Sequence, residues 1–231
     1  MLSKALTLTT APSIEPVTTA DALAFMRVDN QSDAALVAVL VAAACEVVEL
    51  ATGRALISQG WRLTLPNWQS GYPENFAADY AGATIMSRTG VLSPYPVARR
   101  VSSSVIILDK SPLITVDTVK YYDSATETLT TFSAANYYAL TTPEPGAVAL
   151  KPTASWPDLY DRPDAVQINF TAGYGTTAAS VPANLRMAVM ILAKHYYDGG
   201  RELVDVKQAV SEIPLGVRHV MESRKVEGWV S

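Results

Sequence analysis

Gly173 and Gly175 lie between a predicted strand and a predicted helix, which is where glycine-rich loops cradle phosphate groups. A dinucleotide fingerprint requires a third glycine and an acidic residue about twenty positions later, and a Walker loop requires a lysine. The stretch FTAGYGTTAASVP contains neither the third glycine nor the lysine. We therefore interpret the two glycines as the exit from a β region, where the backbone turns before Pro182 begins a helix.

Three aspartates, Asp158, Asp161 and Asp164, recur at intervals of three in the stretch WPDLYDRPD and could offer oxygen ligands to a cation. A metal-assisted hydrolase that uses them is one hypothesis for an enzyme. The stretch lacks the Asp/Asn-Gly pattern of an EF-hand loop, so the residue types favour turn-forming aspartates in a solvated loop.

Histidine and cysteine are too scarce for a conventional catalytic or metal site. His195 and His219 are the only histidines and Cys45 is the only cysteine, which lies in an apolar helical pattern. A histidine without a cysteine partner is a poor ligand set for a transition metal, and the sequence groups no nucleophile with a base and an orienting acid. We therefore predict no catalytic, cofactor-binding or metal-binding residues, no cofactor and no enzymatic activity.

The composition is that of a folded protein with rather few charges. The 231 residues are 49% hydrophobic and 17% charged, and the formal net charge is -4, which argues against a protein that binds by neutralising phosphates. The first residues show no signal-peptide pattern, so secretion is not expected. The longest apolar run, 34–45, falls short of the ~20 residues of a membrane span, which predicts a helix buried against protein and no membrane contact.

Helix signals occupy the first quarter of the chain. Thr18 followed by Asp21 is typical of a capping box and predicts a short helix over 19–27. A second, longer helix is predicted to begin at Ser32 and to end at Gly53, where a left-handed terminator is expected.

Strand signals follow from Trp61, where apolar residues alternate, and later stretches separated by turn residues continue them. The absence of helical crossovers predicts a small antiparallel sandwich or barrel. The later predicted strands are 104–108, 114–122, 127–132, 136–142, 147–151 and 165–172.

A loop over 67–104 is much longer than an ordinary connection and is rich in aromatic residues. Exposed aromatic residues are enriched where proteins meet proteins, so we predict that this loop contacts another protein or a neighbouring subunit. The predicted interface residues are Trp68, Tyr72, Phe76, Tyr80 and Tyr95.

The chain ends in a helix that begins after Pro182 and in a last short helix that begins after Pro214. The fold class is therefore predicted to be α+β, a helical bundle from the N- and C-terminal helices with an inserted antiparallel β domain. The expected division is a helical part at 1–58, a β domain at 59–176 and a helical part at 177–231.

Three stretches carry a resemblance to a known family. The first contains a Pro-Val-Thr helix start, the short end MRVD and a long helix that closes on TGRALISQ. The second is SPLITVDTVKYYD, and the third is VQINFTAGYGTTAASVPANLRMAVMILAKHYYDGGRE. In this order they resemble the head-tail connector (adaptor) proteins of long-tailed bacteriophages and gene transfer agents, over most of the chain. The long insertion before Ser104 departs from the family pattern.

The resemblance implies a structural protein of the virion neck that acts without catalysis. Family members form a dodecameric ring on the portal vertex of the filled head and offer the tail a landing surface. The implied partners are further copies of the chain, the portal protein and a tail-completion or stopper protein, with DNA passing only as cargo. The implied location is the head-tail neck of the virion, and the host cytoplasm during assembly.

The last helix is the predicted portal contact, since it is followed by an aromatic residue near the end of the chain. A different function also fits the residues, namely a carbohydrate- or host-surface-binding β module of a phage tail that uses loop aromatics as stacking platforms. The predicted portal-contact residues are Ile213, Pro214, Val217, Met221, Arg224 and Trp229.

Overall fold

The computed structural model describes residues 4–28, 31–68, 104–142, 144–199 and 213–226. It combines helices with antiparallel sheets, as the α+β prediction requires. The helices are α1 (Thr19–Met26), α2 (Ala34–Thr52), α3 (Ala183–Gly199) and α4 (Leu215–Arg224). The strands are β1 (Ala5–Thr10), β2 (Gln59–Leu65), β3 (Val105–Ile107), β4 (Leu113–Tyr122), β5 (Leu129–Phe132), β6 (Tyr137–Leu140), β7 (Ala147–Leu150) and β8 (Val166–Ala172).

The helix ends follow the sequence signals closely. The Thr18 hydroxyl accepts a hydrogen bond from the Asp21 backbone N–H at 3.1 Å and so caps α1. Gly53 is left-handed, with φ 69°, and its N–H donates to the Glu49 carbonyl at 3.0 Å, which confirms the predicted end of α2. Helix α1 ends instead at Arg27, a left-handed residue that is not glycine.

The helices share one hydrophobic cluster. Helices α2 and α3 run antiparallel, since the Tyr197 hydroxyl donates to Asp33 at 2.8 Å while the Tyr174 N–H, before α3, donates to the Leu56 carbonyl at 3.3 Å. The fully buried apolar side chains that α2 and α3 contribute to this cluster are Val37, Val41, Ala44, Val48, Leu185, Ala188, Val189, Leu192 and Ala193.

Helix α2 is longer than the apolar run on which the sequence prediction relied. Its 19 residues are long and apolar enough to cross a membrane by length and composition. One face of the helix is nevertheless built into the cluster with α3, as core helices of soluble proteins are. The predicted burial against protein is therefore confirmed for that face.

Two open sheets share the second hydrophobic cluster. The larger sheet has the order β1-β2-β8-β4-β5 and the smaller the order β3-β7-β6, and every pair is antiparallel. Strand β8 is central and alternates buried side chains, namely Val166, Ile168, Phe170 and Ala172. In the part of the chain that the structure describes, the sheets do not close, so the barrel alternative does not hold.

Strand β1 was not predicted. It pairs with β2, from Ala5 opposite Thr64 to Thr10 opposite Gly60, and forms one edge of the larger sheet. Only Leu6 is half-buried, whereas the rest of the strand is exposed. Residues 5–10 of the predicted N-terminal helical part therefore belong to the larger sheet.

Candidate functional site

The glycine turn after β8 uses its own backbone groups internally. The Gly173 N–H donates to the Pro112 carbonyl at 2.9 Å, and the Gly175 carbonyl accepts from the Ser58 N–H at 2.9 Å. Gly173 has φ 136°, and a β-carbon there would lie 2.5 Å from the Ile57 carbonyl oxygen. The Gly173 N–H and the Tyr174 N–H, which donates to the Leu56 carbonyl at 3.3 Å, are thus already bonded and are not offered to a phosphate. The turn joins the sheet to α3, in line with the sequence interpretation.

The aspartate series does not gather into one site. Asp164 accepts two hydrogen bonds from Arg162, at 2.5 and 2.8 Å, and this ion pair holds the pKa of Asp164 below its ordinary value. The guanidinium of Arg162 lies 3.5 Å from the ring centroid of Tyr122. Over the described ranges, no three His, Cys, Asp or Glu side chains are grouped to hold a metal ion.

The single cysteine is a buried core residue. Cys45 is 7% exposed and belongs to the helical cluster. Burial raises the pKa of the Cys45 thiol far above its ordinary value, and the neighbouring carboxylate of Glu15 adds to this effect. A thiol that stays protonated is a poor nucleophile and a poor metal ligand.

The last helix, α4, has a clear inner and outer side. Val217 and Met221 are 1% and 4% exposed and pack into the helical cluster, so their predicted role as portal contacts is wrong. Their i, i+4 spacing is the signal of a core-facing stripe, which the sequence interpretation missed. Ile213 and Pro214 are half-buried, and Trp229 lies outside the described residues.

The outer side of α4 combines one apolar residue with several charges. Leu215 is 79% exposed, the largest value among the exposed large hydrophobic residues described. Arg218, His219 and Arg224 are also exposed, and Arg224 is the predicted contact that the structure leaves accessible. This mixed apolar and basic surface is the candidate functional site of the helical end.

Arg54 fixes the position of α4 relative to both sheets. Its Nε donates to the Arg224 carbonyl at 2.5 Å, Nη1 donates to the Tyr174 hydroxyl at 3.0 Å and Nη2 donates to Glu144 at 2.5 Å. Although burial opposes its charge, the hydrogen bond with Glu144 and the nearby Tyr174 raise the pKa of Arg54. Sequence alone could not reveal this cluster, since its members are 90 to 170 positions from Arg54.

A second anchor of α4 is a backbone bond. The Val226 N–H, just beyond the helix, donates to the Thr52 carbonyl at the end of α2 at 3.0 Å, and Val226 is buried. Together with Arg54, this bond ties the end of α4 to the point where the chain passes from α2 into the sheets.

A half-buried carboxylate, that of Glu49, lies at the same junction. One Glu49 oxygen accepts from the Leu56 N–H at 2.6 Å and from the Gln59 side chain at 2.8 Å. Burial raises the pKa of Glu49 despite these bonds, and burial also lowers the pKa of the neighbouring Lys110. The Lys110 ammonium lies 5.0 Å from the ring centroid of Trp61.

Trp68 belongs to an aromatic cluster inside the chain. It is 7% exposed, its ring stacks on Trp156 with centroids 4.3 Å apart, and its Nε1 donates to the Pro157 carbonyl at 2.9 Å. The prediction that Trp68 is an exposed interface residue is therefore wrong, because long-range stacking buries it. The other predicted loop aromatics, Tyr72, Phe76, Tyr80 and Tyr95, lie outside the described residues.

Comparisons with known proteins identify the fold. No protein-family model matches the chain, and no curated protein matches it significantly. A chain in the neck of an empty gene transfer agent (GTA) particle, computed with C6 symmetry, matches with a TM-score of 0.67 at 22% identity, covering 98% of both chains. A chain of the virion of a native GTA particle matches with a TM-score of 0.69 at 22% identity, covering 98% of this chain and 97% of that one.

A third structure, the neck of a native GTA particle computed with C12 symmetry, contains a chain that matches with a TM-score of 0.63, again at 22% identity and with 98% of both chains covered. The match extends over both the helices and the sheets, since almost the whole chain is aligned. The chain therefore has the fold of a protein found in the neck of gene transfer agent particles, consistent with the head-tail connector family that its sequence resembles.

Proposed function

We propose that the chain is a structural protein of the virion neck, an adaptor that forms a ring on the portal vertex and joins the DNA-filled head to the tail. The observation that carries this proposal is the fold match over 98% of the chain to chains of GTA necks and virions. The C6 and C12 symmetry of the matched necks supports a ring, and we propose a dodecamer. In this proposal the portal and a tail-completion or stopper protein are the partners, and the protein is not an enzyme.

The outer side of α4 is the proposed portal contact. An exposed apolar residue beside arginines suits a protein contact, because the aliphatic group is desolvated while the guanidinium groups pair with acidic or carbonyl oxygens. Leu215 and Arg218 have these properties, and Arg224 continues the surface. The anchors at Arg54 and Val226 hold this surface in a fixed place, so little order must be gained on binding.

The remaining parts of the proposal rest on the resemblance to the connector family. DNA passes the ring as cargo, and a formal net charge of -4 disfavours tight adhesion of the phosphates to the chain. Assembly takes place in the host cytoplasm, and the finished protein resides in the neck of the virion. The proposed contact of the 67–104 loop, through Tyr72, Phe76, Tyr80 and Tyr95, is with a tail protein or a neighbouring subunit.

Substitutions on α4 test the portal contact without disturbing the core. We expect the double variant Leu215→Asp with Arg218→Glu to reduce co-purification with the portal protein at least tenfold, because it replaces an apolar and a basic contact with two acids. The matched control is Leu129→Asp, since Leu129 is also an exposed leucine but lies on β5. Thermal unfolding should show that both variants fold like the wild type.

Full portal binding by the folded double variant would show that α4 is not part of the portal interface. Absence of the wild-type protein from necks, measured by cryo-electron microscopy of particles made with and without its gene, would remove the adaptor function itself. The carbohydrate-binding alternative loses one of its platforms, because Trp68 is buried in the chain's own core. Glycan binding by the isolated protein would favour that alternative over the adaptor.

A further inference from the structure

Helix α2 carries a second apolar face that points away from the helical cluster. Leu36, Val39 and Leu50 are 53%, 66% and 61% exposed, and Ala43 and Glu46 lie between them along the helix. We call these five residues the outer seam. Three of the exposed large hydrophobic residues described in the chain thus lie on one face of one helix.

The spacing of the outer seam is that of a helix–helix contact. Leu36, Ala43 and Leu50 are seven residues apart, and Val39 and Glu46 are the intervening positions, also seven apart. This is the a and d pattern by which one helix receives the side chains of another. A single polar residue in such a pattern selects the partner and its register rather than adding stability.

A membrane is not the occupant that the structure favours. The opposite face of α2, with Val37, Val41 and Val48 at 1% exposure or less, is packed in the helical cluster, so insertion would strip the core. The outer seam carries Glu46 and no Lys or Arg, and an acidic residue gains nothing from anionic headgroups. A protein helix with a basic side chain opposite Glu46 is a more favourable partner for this face than a membrane.

The same chain carries a surface of the complementary kind on α3. Met187 is 43% exposed, and beside it the Nε of Arg186 is buried without a hydrogen-bond partner among the described residues. No ion pair of Glu46 or of Arg186 is found within the described ranges. A head-to-tail ring requires two different patches on each chain, and these two faces carry complementary charges.

Glu46 on α2 and Arg186 on α3 also lie at nearly the same level along the helix axes. Helices α2 and α3 are antiparallel, and the Tyr197 hydroxyl bond to Asp33 sets their relative height. Arg186 lies eleven residues before Tyr197 and Glu46 lies thirteen after Asp33, so at about 1.5 Å per residue they differ by only about 3 Å. Rotation about a ring axis parallel to the helices preserves height and brings Glu46 of one copy level with Arg186 of the next.

We propose that the outer seam of α2 is the surface that receives a second copy of this chain, through the α3 face at Arg186 and Met187. This inference rests on the proposed ring function and names the contact that closes the ring. An isologous contact between two outer seams would instead bring two Glu46 carboxylates into one apolar contact without a cation, which is unfavourable.

The test uses the full chain with DNA-filled heads that lack the neck, and counts rings by negative-stain microscopy. We expect Leu36→Asp to reduce ring occupancy at least tenfold, whereas the control Leu129→Asp assembles like the wild type. Glu46→Arg and Arg186→Glu should each reduce occupancy, and the double variant with both changes should restore at least half of it. Such rescue would not follow from a merely structural role.

Several results would overturn the inference, and they are distinguishable from failure of the proposed function. Normal rings from Leu36→Asp, or no rescue by the charge exchange, would refute the contact while leaving the ring function intact. A lower melting temperature of the monomeric Leu36→Asp variant would show that the chain itself covers the outer seam. Wild-type co-flotation with vesicles of phosphatidylcholine and phosphatidylglycerol that Leu36→Asp loses would point to a membrane instead. Wild-type protein that forms no rings on heads would refute the proposed function.

Discussion

The indole of Trp68 stacks on the indole of Trp156 with centroids 4.3 Å apart and an interplanar angle of 13°. Trp68 lies just after β2 and Trp156 lies between β7 and β8, and Phe132 and Tyr121 complete the cluster at centroid distances of 6.0 Å from Trp68. The start of the loop after β2 is thereby fixed to the sheets by aromatic packing.

Removal of the Trp68 ring should destabilise the sheets. We expect Trp68→Ala to lower the free energy of unfolding by about 3–5 kcal/mol, since a buried aromatic ring is lost and the Pro157 carbonyl loses its donor. Urea unfolding followed by circular dichroism measures the change. Trp68→Phe should cost less, and the exposed Tyr138→Ala should cost less than about 1 kcal/mol. A small loss for Trp68→Ala would mean that the ring is replaceable.

Loss of the Arg54 side chain should be more costly than loss of either acceptor. Arg54→Met leaves Glu144 and the Arg224 carbonyl without their donor, so we expect a loss of about 3 kcal/mol. Glu144→Gln keeps an oxygen acceptor at a more exposed position and should cost less than about 1 kcal/mol. Chemical unfolding of both variants and of the double variant gives the coupling between them. Equal costs for the two single variants would show that Glu144 is the only partner that matters.

Glu49 should make the stability depend on pH. Burial raises its pKa in the folded chain above the ordinary value of 4.5, so the folded state binds this proton more tightly than the unfolded state. The free energy of unfolding should therefore fall as the pH rises from about 4.5 through the raised pKa, and the penalty should vanish below the ordinary value.

Glu49→Gln tests this dependence, because it keeps the oxygen that accepts from Leu56 and Gln59 and removes the charge. Its stability relative to the wild type should increase with pH over this window, in urea unfolding at a series of pH values. Lys110 limits the gain, since it loses a nearby negative charge. Glu46→Gln, an exposed position on the same helix, is the control. A pH-independent difference between Glu49→Gln and the wild type would contradict the assignment.

Gly173 should tolerate no side chain. Its φ of 136° is rarely adopted by residues with a β-carbon, and a β-carbon would lie 2.5 Å from the Ile57 carbonyl oxygen and 2.7 Å from the Ser58 nitrogen. We expect Gly173→Ala to lower the melting temperature markedly, with a loss of at least about 2 kcal/mol. Gly216→Ala, in open space on α4, is the matched control and should stabilise by about 0.5–1 kcal/mol. A melting temperature of Gly173→Ala equal to the wild type would disprove the close contact.

The sequence predicted elements whose signals are local. Thr18 and Gly53 marked helix ends because their capping uses residues within one turn, and the alternation in β8 marked a central strand. Strand β1 was not predicted because its side chains are almost all exposed and so follow no pattern of burial. It is a strand only because it pairs with β2.

The parts of the candidate site that sequence missed depend on distant partners. Trp68 is buried because it stacks on Trp156, which is distant in sequence. Arg54 forms the centre of a hydrogen-bond cluster only because the fold brings Glu144 and the Arg224 carbonyl next to it. The residue types alone do not indicate these long-range contacts. The inner side of α4 is different, since the i, i+4 spacing of Val217 and Met221 already indicated a core-facing stripe.

The bonds from Arg54 to Arg224 and from Val226 to Thr52 have a mechanical consequence. Arg54 and Glu144 connect α4 to the turn before β7 by hydrogen bonds, and the Val226 backbone bond connects the end of α4 to α2. A force applied to α4 is therefore resisted by hydrogen bonds as well as by apolar contacts. Hydrogen bonds are directional and resist sliding, whereas hydrophobic contacts do not depend on direction. A short polar path thus links the last helix to the residues that precede β7 and follow β8.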